Sequence, residues 1–201
     1  MKAEAFLIQK PIFSTREFAT ATGYRTDAAS RKLNSWKNQG LIKQLTRGVW
    51  VNLNNKTFSV YGLTPYVVGL EQGYVSFLSA LHRHGVISQI PQKVFVASTG
   101  HGRKVESELA TFEIIQMKAQ YMQSGIEWFS GAVSYGLASP EKALLDCLYL
   151  STRRGKKFRY FPELDLSKIK QSRLKRLIKE HRFPNSIEAH ILGRVGEFGW
   201  Q

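Results

Sequence analysis

A helix start is written into residues 13–18, and it constrains this chain more than any other stretch. Ser14 is followed three residues on by Glu17, the spacing at which each side chain satisfies the other's orphan backbone N–H. Phe13 before the cap and Phe18 in the first turn are placed to clasp as a hydrophobic staple. A short helix is therefore expected from residue 15 to about residue 20. Ala19 and Gly23 lie four apart. The small side chain admits a second helix closely, and the glycine takes positive φ at the turn without steric cost. Thr26 is placed to cap that second helix, with Asp27 complementing its positive end.

The second helix is expected over residues 27–38. Ala29, Leu33 and Trp36 fall at i, i+4 and i+7 and give one apolar stripe. The other face carries Ser30, Arg31, Asn34, Ser35, Lys37 and Asn38, and Gly40 stops the helix. Residues 41–45 and 49–51 then flank Thr46-Arg47-Gly48, a hairpin with arginine at its tip. Residues 3–9 add a further helix with Phe6 and Leu7 turned inward, ended by Pro11. Helix, turn, polar-faced helix and arginine-tipped ribbon make a winged helix-turn-helix, an arrangement that reads DNA. Arg25, Thr26, Asp27, Ser30, Arg31 and Asn34 are the expected base-edge contacts: Arg suits guanine, Asn suits adenine, Asp accepts from cytosine. Lys37 and Lys43 suit phosphates, and Arg47 suits a minor groove.

Charge supports a polyanion partner. Lys and Arg number 29 against 15 acids, a net of +14. Residues 1–57 carry 10 basic and 3 acidic side chains, residues 58–150 carry 6 and 7, and residues 151–201 carry 13 and 5. Two basic ends bracket a neutral middle, which reads as scaffold or protein-binding surface rather than phosphate reader. With 43% hydrophobic residues the chain can bury a core, so disorder is excluded. Cys147 is the only cysteine, so an intrachain disulfide is excluded. There is no basic-then-apolar leader, and no run approaches the ~20 apolar residues that span a bilayer. A cytoplasmic protein with no membrane partner is expected.

Beyond the polar stretch 52–57, read as a linker, the pattern is α+β. A helix within residues 61–70 is broken near Pro65; Ser76 caps a helix over 77–84. Strands are expected at 94–98, 110–117, 126–129 and 132–137, the last two joined across Ser130-Gly131. Residues 99–104 read as a hairpin loop. Ser139-Pro140-Glu141 opens a helix whose buried stripe is Ala143, Leu144, Cys147, Leu148 and Ser151. Helices at 168–180 and 185–195 close the chain. The expected fold is α+β: a winged helix-turn-helix over 1–56, then over 57–201 an α/β domain with a small mixed sheet and basic C-terminal helices from about 153. Arg153, Arg154, Lys156, Lys157, Arg173, Lys175, Arg176 and Lys179 form a candidate second polyanion surface in that tail.

Other motifs read as structure. His82 and His84 point to different helix faces and sit in the last turn, where imidazoles favour the helix dipole. Gly100-His101-Gly102-Arg103-Lys104 lacks the glycine and lysine spacing of a phosphate-binding loop. Glu141 and Asp146 point apart on one helix, and no nucleophile–base pattern is visible. Cys147 on its apolar stripe reads as buried and inert. No enzyme, metal or cofactor is expected.

One combination of motifs resembles a known family. After the Phe13–Asn52 stretch come Tyr74-Val75-Ser76, then Leu81-His82-Arg83-His84-Gly85, then Ser139-Pro140-Glu141-Lys142-Ala143-Leu144-Leu145-Asp146. Their order and spacing are similar to the AbiEi-type antitoxins of abortive-infection (type IV) toxin–antitoxin systems, a bacterial antiviral defence. The resemblance covers roughly residues 13–150 and stops short of the basic tail. It implies an autorepressor that acts on its own operon through the N-terminal domain; the operator is expected to be an inverted repeat with one monomer per half-site. It also implies a C-terminal domain that counters a nucleotidyltransferase toxin without a stable complex. Two other functions fit the residues: a transcription regulator whose middle domain binds a ligand or a protein, and a DNA-targeted nuclease using the middle acids, Glu106, Glu108 and Glu113 with Lys118, or Glu141 with Asp146.

Overall fold

The box at Ser14 closes in the computed structural model, which describes residues 1–56, 58–130, 133–153 and 157–200. The Ser14 hydroxyl accepts from the Glu17 N–H at 3.1 Å, and the Ser14 N–H donates to Glu17 Oε2 at 2.6 Å. The first elements are α1 (Ala3–Gln9), β1 (Ile12–Ser14), α2 (Thr15–Thr22) and α3 (Thr26–Asn38). The staple forms, with the Phe13 and Phe18 rings 6.3 Å apart and Phe6 of α1 set edge-on to both. Gly23 ends α2 in the left-handed region, φ 77°. Thr26 does not cap α3, contrary to expectation: Arg25 holds that position without a side-chain cap, and Thr26 is the first helical residue. At the far end the Gly40 N–H reaches the Lys37 carbonyl and the Leu41 N–H the Trp36 carbonyl, the paired closure that a left-handed glycine permits.

β2 (Lys43–Thr46) and β3 (Val49–Val51) form the expected hairpin, β2 starting two residues later than its apolar run. The three residues of β1, too few for a period-2 signal, pair with β3, so the strand order is β1-β3-β2. Period-2 alternation gives this small sheet two buried faces. Phe13 and Trp50 face a core shared with Phe6, Phe18, Ala29, Leu33 and Trp36. Ile12, Leu45 and Val51 face the other way, into the main core of the chain. The 52–56 stretch lies pinned to α1: Asn52 Nδ2 donates to the Leu7 carbonyl at 2.9 Å and Asn55 Nδ2 to the Ile8 carbonyl at 2.8 Å.

Pro65 starts a helix rather than breaking one, for its missing N–H costs nothing in a first turn. A 3-10 turn, Val60–Leu63, leads into α4 (Thr64–Val68). A mixed six-stranded sheet follows, built from β4 (Gly73–Val75), β5 (Val94–Ser98), β6 (Arg103–Glu106), β7 (Thr111–Gln116), β8 (Ile126–Phe129) and β9 (Tyr135–Ala138). Its order is β6-β7-β5-β4-β9-β8, with β5/β7 and β4/β9 parallel and the other pairs antiparallel. Residues 99–102 are therefore no hairpin loop: β7 lies between β5 and β6. Arg103 and Lys104, read as loop, begin an edge strand. Residues 131 and 132, assigned to a turn and strand, lie outside the described residues.

α5 (Phe77–Arg83) and α6 (Pro140–Ser151) pack together on this sheet, and α7 (Gln171–His181) and α8 (Asn185–Gly196) cover α6. α6 has no exposed stripe: every residue from Glu141 to Ser151 is buried. Ser139 caps it, accepting from the Lys142 N–H. Ser76 makes no such cap for α5; its hydroxyl donates instead to Asp146 Oδ2 at 2.7 Å. Among the described residues no helix is long and apolar enough to cross a membrane.

Candidate nucleic-acid interface

Ala29, Leu33 and Trp36 bury one side of α3, and the exposed polar side is what remains. Phe18 packs edge-on to Trp36 with ring centroids 5.4 Å apart, fixing α3 against α2. Lys32 lies over the Trp36 ring and so borders the core. The expected base-reading side chains Arg25, Thr26, Asp27, Arg31 and Asn34 are exposed, and Ser30 is half-buried. They run along the first two and a half turns of α3, close enough to act as one surface.

Local contacts set the resting positions of these groups. Asp27 stands between two arginines, 3.7 Å from Arg25 Nε and 3.3 Å from Arg31 Nη2. Both arginines are more than three-quarters exposed, so each pair is worth about 1 kcal/mol or less and opens readily toward a stronger acceptor. Ser30 Oγ donates to the Thr26 carbonyl and Asn34 Nδ2 to the Ser30 carbonyl, both on the same helix. These bonds hold the two side chains close to the helix, and both must swing out to reach a base edge. Lys37, at the end of α3, is tied to Glu108 in the β6–β7 turn.

Arg47 is exposed at the hairpin turn, and Lys43 is half-buried in β2. That turn is docked on α2: the Thr15 N–H donates to the Gly48 carbonyl at 2.9 Å, and Thr15 Oγ1 accepts from Trp50 Nε1 at 2.9 Å. Arg16 follows Thr15 and is exposed. It adds a cation beside the Arg47 turn that sequence reading passed over, because the strand pairing that brings Gly48 to Thr15 is long-range.

The second basic surface divides in two. Lys175, Arg176 and Lys179 are exposed along α7, with Arg176 3.6 Å from Glu180. Arg173 turns inward to the buried Glu141 carboxylate at 3.6 Å. Arg153 and Lys157 lie elsewhere, beside β7: Arg153 Nη1 donates to the Gln116 carbonyl and Lys157 Nζ to Glu113 Oε1. Arg154 and Lys156 lie outside the described residues.

The remaining candidates carry structural partners. His84 Nε2 meets the Ala138 carbonyl at 2.9 Å, and His82 Nδ1 the Ile87 carbonyl at 3.4 Å. The Gly100 loop cradles a carboxylate of the chain itself. Glu71 Oε2 accepts from Ser98 Oγ and from Arg103 Nη1, and a Cβ on Gly100 would fall 1.8 Å from the Glu71 carboxyl carbon. The Arg103 hydrogen bond holds the Glu71 carboxyl below the usual carboxylate range. Glu106 pairs with Lys104, Glu113 with Lys93 and Lys157, and Glu108 with Lys37. Cys147 is fully buried, which pushes its thiol well above the usual range.

No protein-family model matches this chain, and no curated protein matches it.

Proposed function

We propose that this protein is a sequence-specific duplex-DNA-binding antitoxin and autorepressor of the AbiEi type, with residues 1–56 acting as a winged helix-turn-helix. The observation that carries the reading is the exposed side of α3, where Arg25, Thr26, Asp27, Arg31 and Asn34 stand opposite a fully buried stripe. Net charge of +14 supplies the phosphate attraction, and the α3 side chains supply the donors and acceptors that discriminate bases. Arg16 of α2 and Arg47 at the hairpin turn serve as backbone or minor-groove contacts. The C-terminal domain counters a nucleotidyltransferase toxin, in keeping with the order of motifs over residues 74–146.

Fluorescence anisotropy on duplexes from the chain's own upstream promoter tests the DNA reading. Tighter binding to an inverted repeat than to its scrambled sequence is expected. Equal affinity for both, at a salt concentration that suppresses non-specific binding, sinks it. Finding a nucleotidyltransferase reading frame beside this one, and co-expressing the two, tests the antitoxin half: the full chain is expected to restore growth.

A second reading has one observation behind it. A cleft of about 600 Å³, lined by Tyr74, Met122, Ile126, Trp128 and Tyr135, opens beside the edge strand β8. Its size and apolar lining suit a small effector of a DNA-binding regulator. An effector that shifts operator affinity favours that alternative.

A further inference from the structure

A second cleft, of about 680 Å³, lies between β6, β7 and the C-terminal end of α6, and none of its lining belongs to α3. We propose that it binds one nucleotide unit, its phosphates held by Lys104, Arg153 and Lys157 and its base laid on Ile115 and Leu150. Ile115 and Leu150 are almost fully buried and form an apolar floor. The three cations line it with the floor: Arg153 stands without an acidic partner among the described residues, while Lys104 is paired with Glu106 and Lys157 with Glu113, half-exposed lysines that a phosphate would have to draw away. A floor that is apolar and a lining that is cationic fit a ligand with one flat, weakly polar part and one anionic part.

Arg153 is the best-placed phosphate donor. Its Nη1 is fixed on the Gln116 carbonyl at 2.9 Å, and its guanidinium lies over the Tyr149 ring at 5.9 Å. One of five N–H donors is thus spent on positioning, and among the described residues no other hydrogen-bond partner engages the rest. Among the described residues no carboxylate comes within ion-pair distance of it. Glu113 is the one acid in the cleft, and both its oxygens are engaged, by Lys157 at 2.6 Å and Lys93 at 2.8 Å. Those two lysines hold its carboxyl below the usual range, so it anchors Lys157 rather than opposing an anion.

Place and size agree with this ligand. β5 and β7 run parallel, and the cleft reaches the carboxyl end of β7 at Gln116, the end of a parallel pair where ligands bind. The volume is in the ordinary range of small-ligand sites, roughly 300–1,000 Å³. A single nucleotide enters such a cleft; an intact duplex does not. The site therefore stands apart from the duplex reading of α3. Its ligand is a free nucleoside triphosphate or the exposed nucleotide of a single strand, which share this chemistry.

The test uses the full chain with two fluorescent probes, an ATP analogue and a 12-nucleotide single-stranded RNA. Saturable binding of at least one is expected, with unlabelled ATP displacing the ATP analogue better than inorganic triphosphate does. Arg153→Ala and Lys104→Ala should each weaken binding roughly tenfold, the value of one charge-assisted hydrogen bond. Arg153→Lys should retain part of it, and Lys175→Ala with Lys179→Ala on α7 should retain all of it. Unchanged thermal melting of each variant separates site loss from unfolding. Strand binding without ATP binding, lost in the same variants, supports the site and assigns the strand as ligand. Absence of saturable binding by both probes, triphosphate competing as well as ATP, or binding that survives the Arg153→Ala/Lys104→Ala pair overturns the proposal. Duplex binding by α3, measured on the same variants, is expected to be unaffected, so the two readings fail separately.

Discussion

Lys37 at the end of α3 lies 3.6 Å from Glu108 in the turn between β6 and β7. The pair joins the helix proposed to read DNA to the edge of the six-stranded sheet, and it masks a cation that sequence reading assigned to a phosphate. Glu108 is more than half exposed, so the pair contributes about 1 kcal/mol at most. Glu108→Gln should free Lys37 and tighten duplex binding a few-fold at low salt, with the dependence of log K on log salt steepening by about one. Lys37→Ala should flatten that dependence and make Glu108→Gln silent. Salt titration of anisotropy reads both; an unchanged slope in Glu108→Gln removes Lys37 from the phosphate contacts.

Asp27 shows how one carboxylate can tune two arginines. In the free protein it restrains Arg25 and Arg31, and on a duplex that offers no matching cytosine its charge is expected to repel phosphates and acceptors nearby. Arg31→Ala should lose roughly 1–3 kcal/mol on the preferred sequence and little on a scrambled one, narrowing the gap between them. Asp27→Ala should also narrow the gap, but by tightening the scrambled duplex. A scrambled duplex left nearly unchanged by Arg31→Ala and bound more tightly by Asp27→Ala separates a reader from a repeller, and equal changes in the two variants refute the assignment.

Much of this was legible from spacing alone. The box at Ser14 and Glu17, the stripe Ala29-Leu33-Trp36, the helix α1 and the strands β5 and β8 follow from neighbours along the chain. β1 and β4 were not legible, because three residues carry no alternation and each exists only through partners far along the sequence. β6 reads Arg-Lys-Val-Glu, a charged edge strand that looks like loop until β7 pairs with it. The same limit applies at the site. The exposure of Arg25 and Arg31 follows from the stripe, whereas Lys37 meeting Glu108 and Gly48 meeting Thr15 of α2 depend on long-range packing.

Gly100 leaves room for the Glu71 carboxylate. A methyl there would overlap the Glu71 carboxyl, which is held in place by Arg103 and Ser98. Gly100→Ala should push the Glu71 carboxylate off Arg103 and Ser98 and lower the urea midpoint modestly. Glu71→Ala empties the cradle, so adding Gly100→Ala to it should cost much less than the sum of the two. Additive losses would place the strain elsewhere in the loop.

His181 sets an acid limit on stability. Burial and then the Lys142 ammonium hold its pKa below the usual 6.5, while the carbonyls of Leu177 and Tyr121, at 2.7 and 3.1 Å, pull less strongly the other way. The unfolded imidazole therefore binds its proton first as pH falls. Stability from this residue is complete above the ordinary imidazole range and is lost as pH drops through it toward the lower folded value. Melting temperature should fall between about pH 7 and pH 5, and His181→Gln should flatten that decline. A decline of equal depth in the variant would assign it to other groups.

Asp146 is the more costly half of the buried pair it makes with Lys142, because it serves more partners. One oxygen meets the Lys142 ammonium, and the other accepts from the Tyr74 hydroxyl at 2.9 Å and the Ser76 hydroxyl at 2.7 Å. Among the described residues Lys142 in turn donates to just Asp146 and the Tyr121 carbonyl, at 2.6 Å for the latter. Asp146→Ala strands an ammonium and two hydroxyls inside the core at once, which puts its loss at or beyond the ~3–5 kcal/mol typical of breaking one buried pair. Lys142→Met leaves the carboxylate with both hydroxyl donors and fills the space of the lysine stem, so its loss should be smaller. Joining Asp146→Ala with Lys142→Met, Tyr74→Phe and Ser76→Ala removes every stranded group and should recover stability relative to Asp146→Ala alone. Urea midpoints of the three variants give the order, and a quadruple variant no more stable than Asp146→Ala would show that the lost volume, rather than the stranded polar groups, dominates.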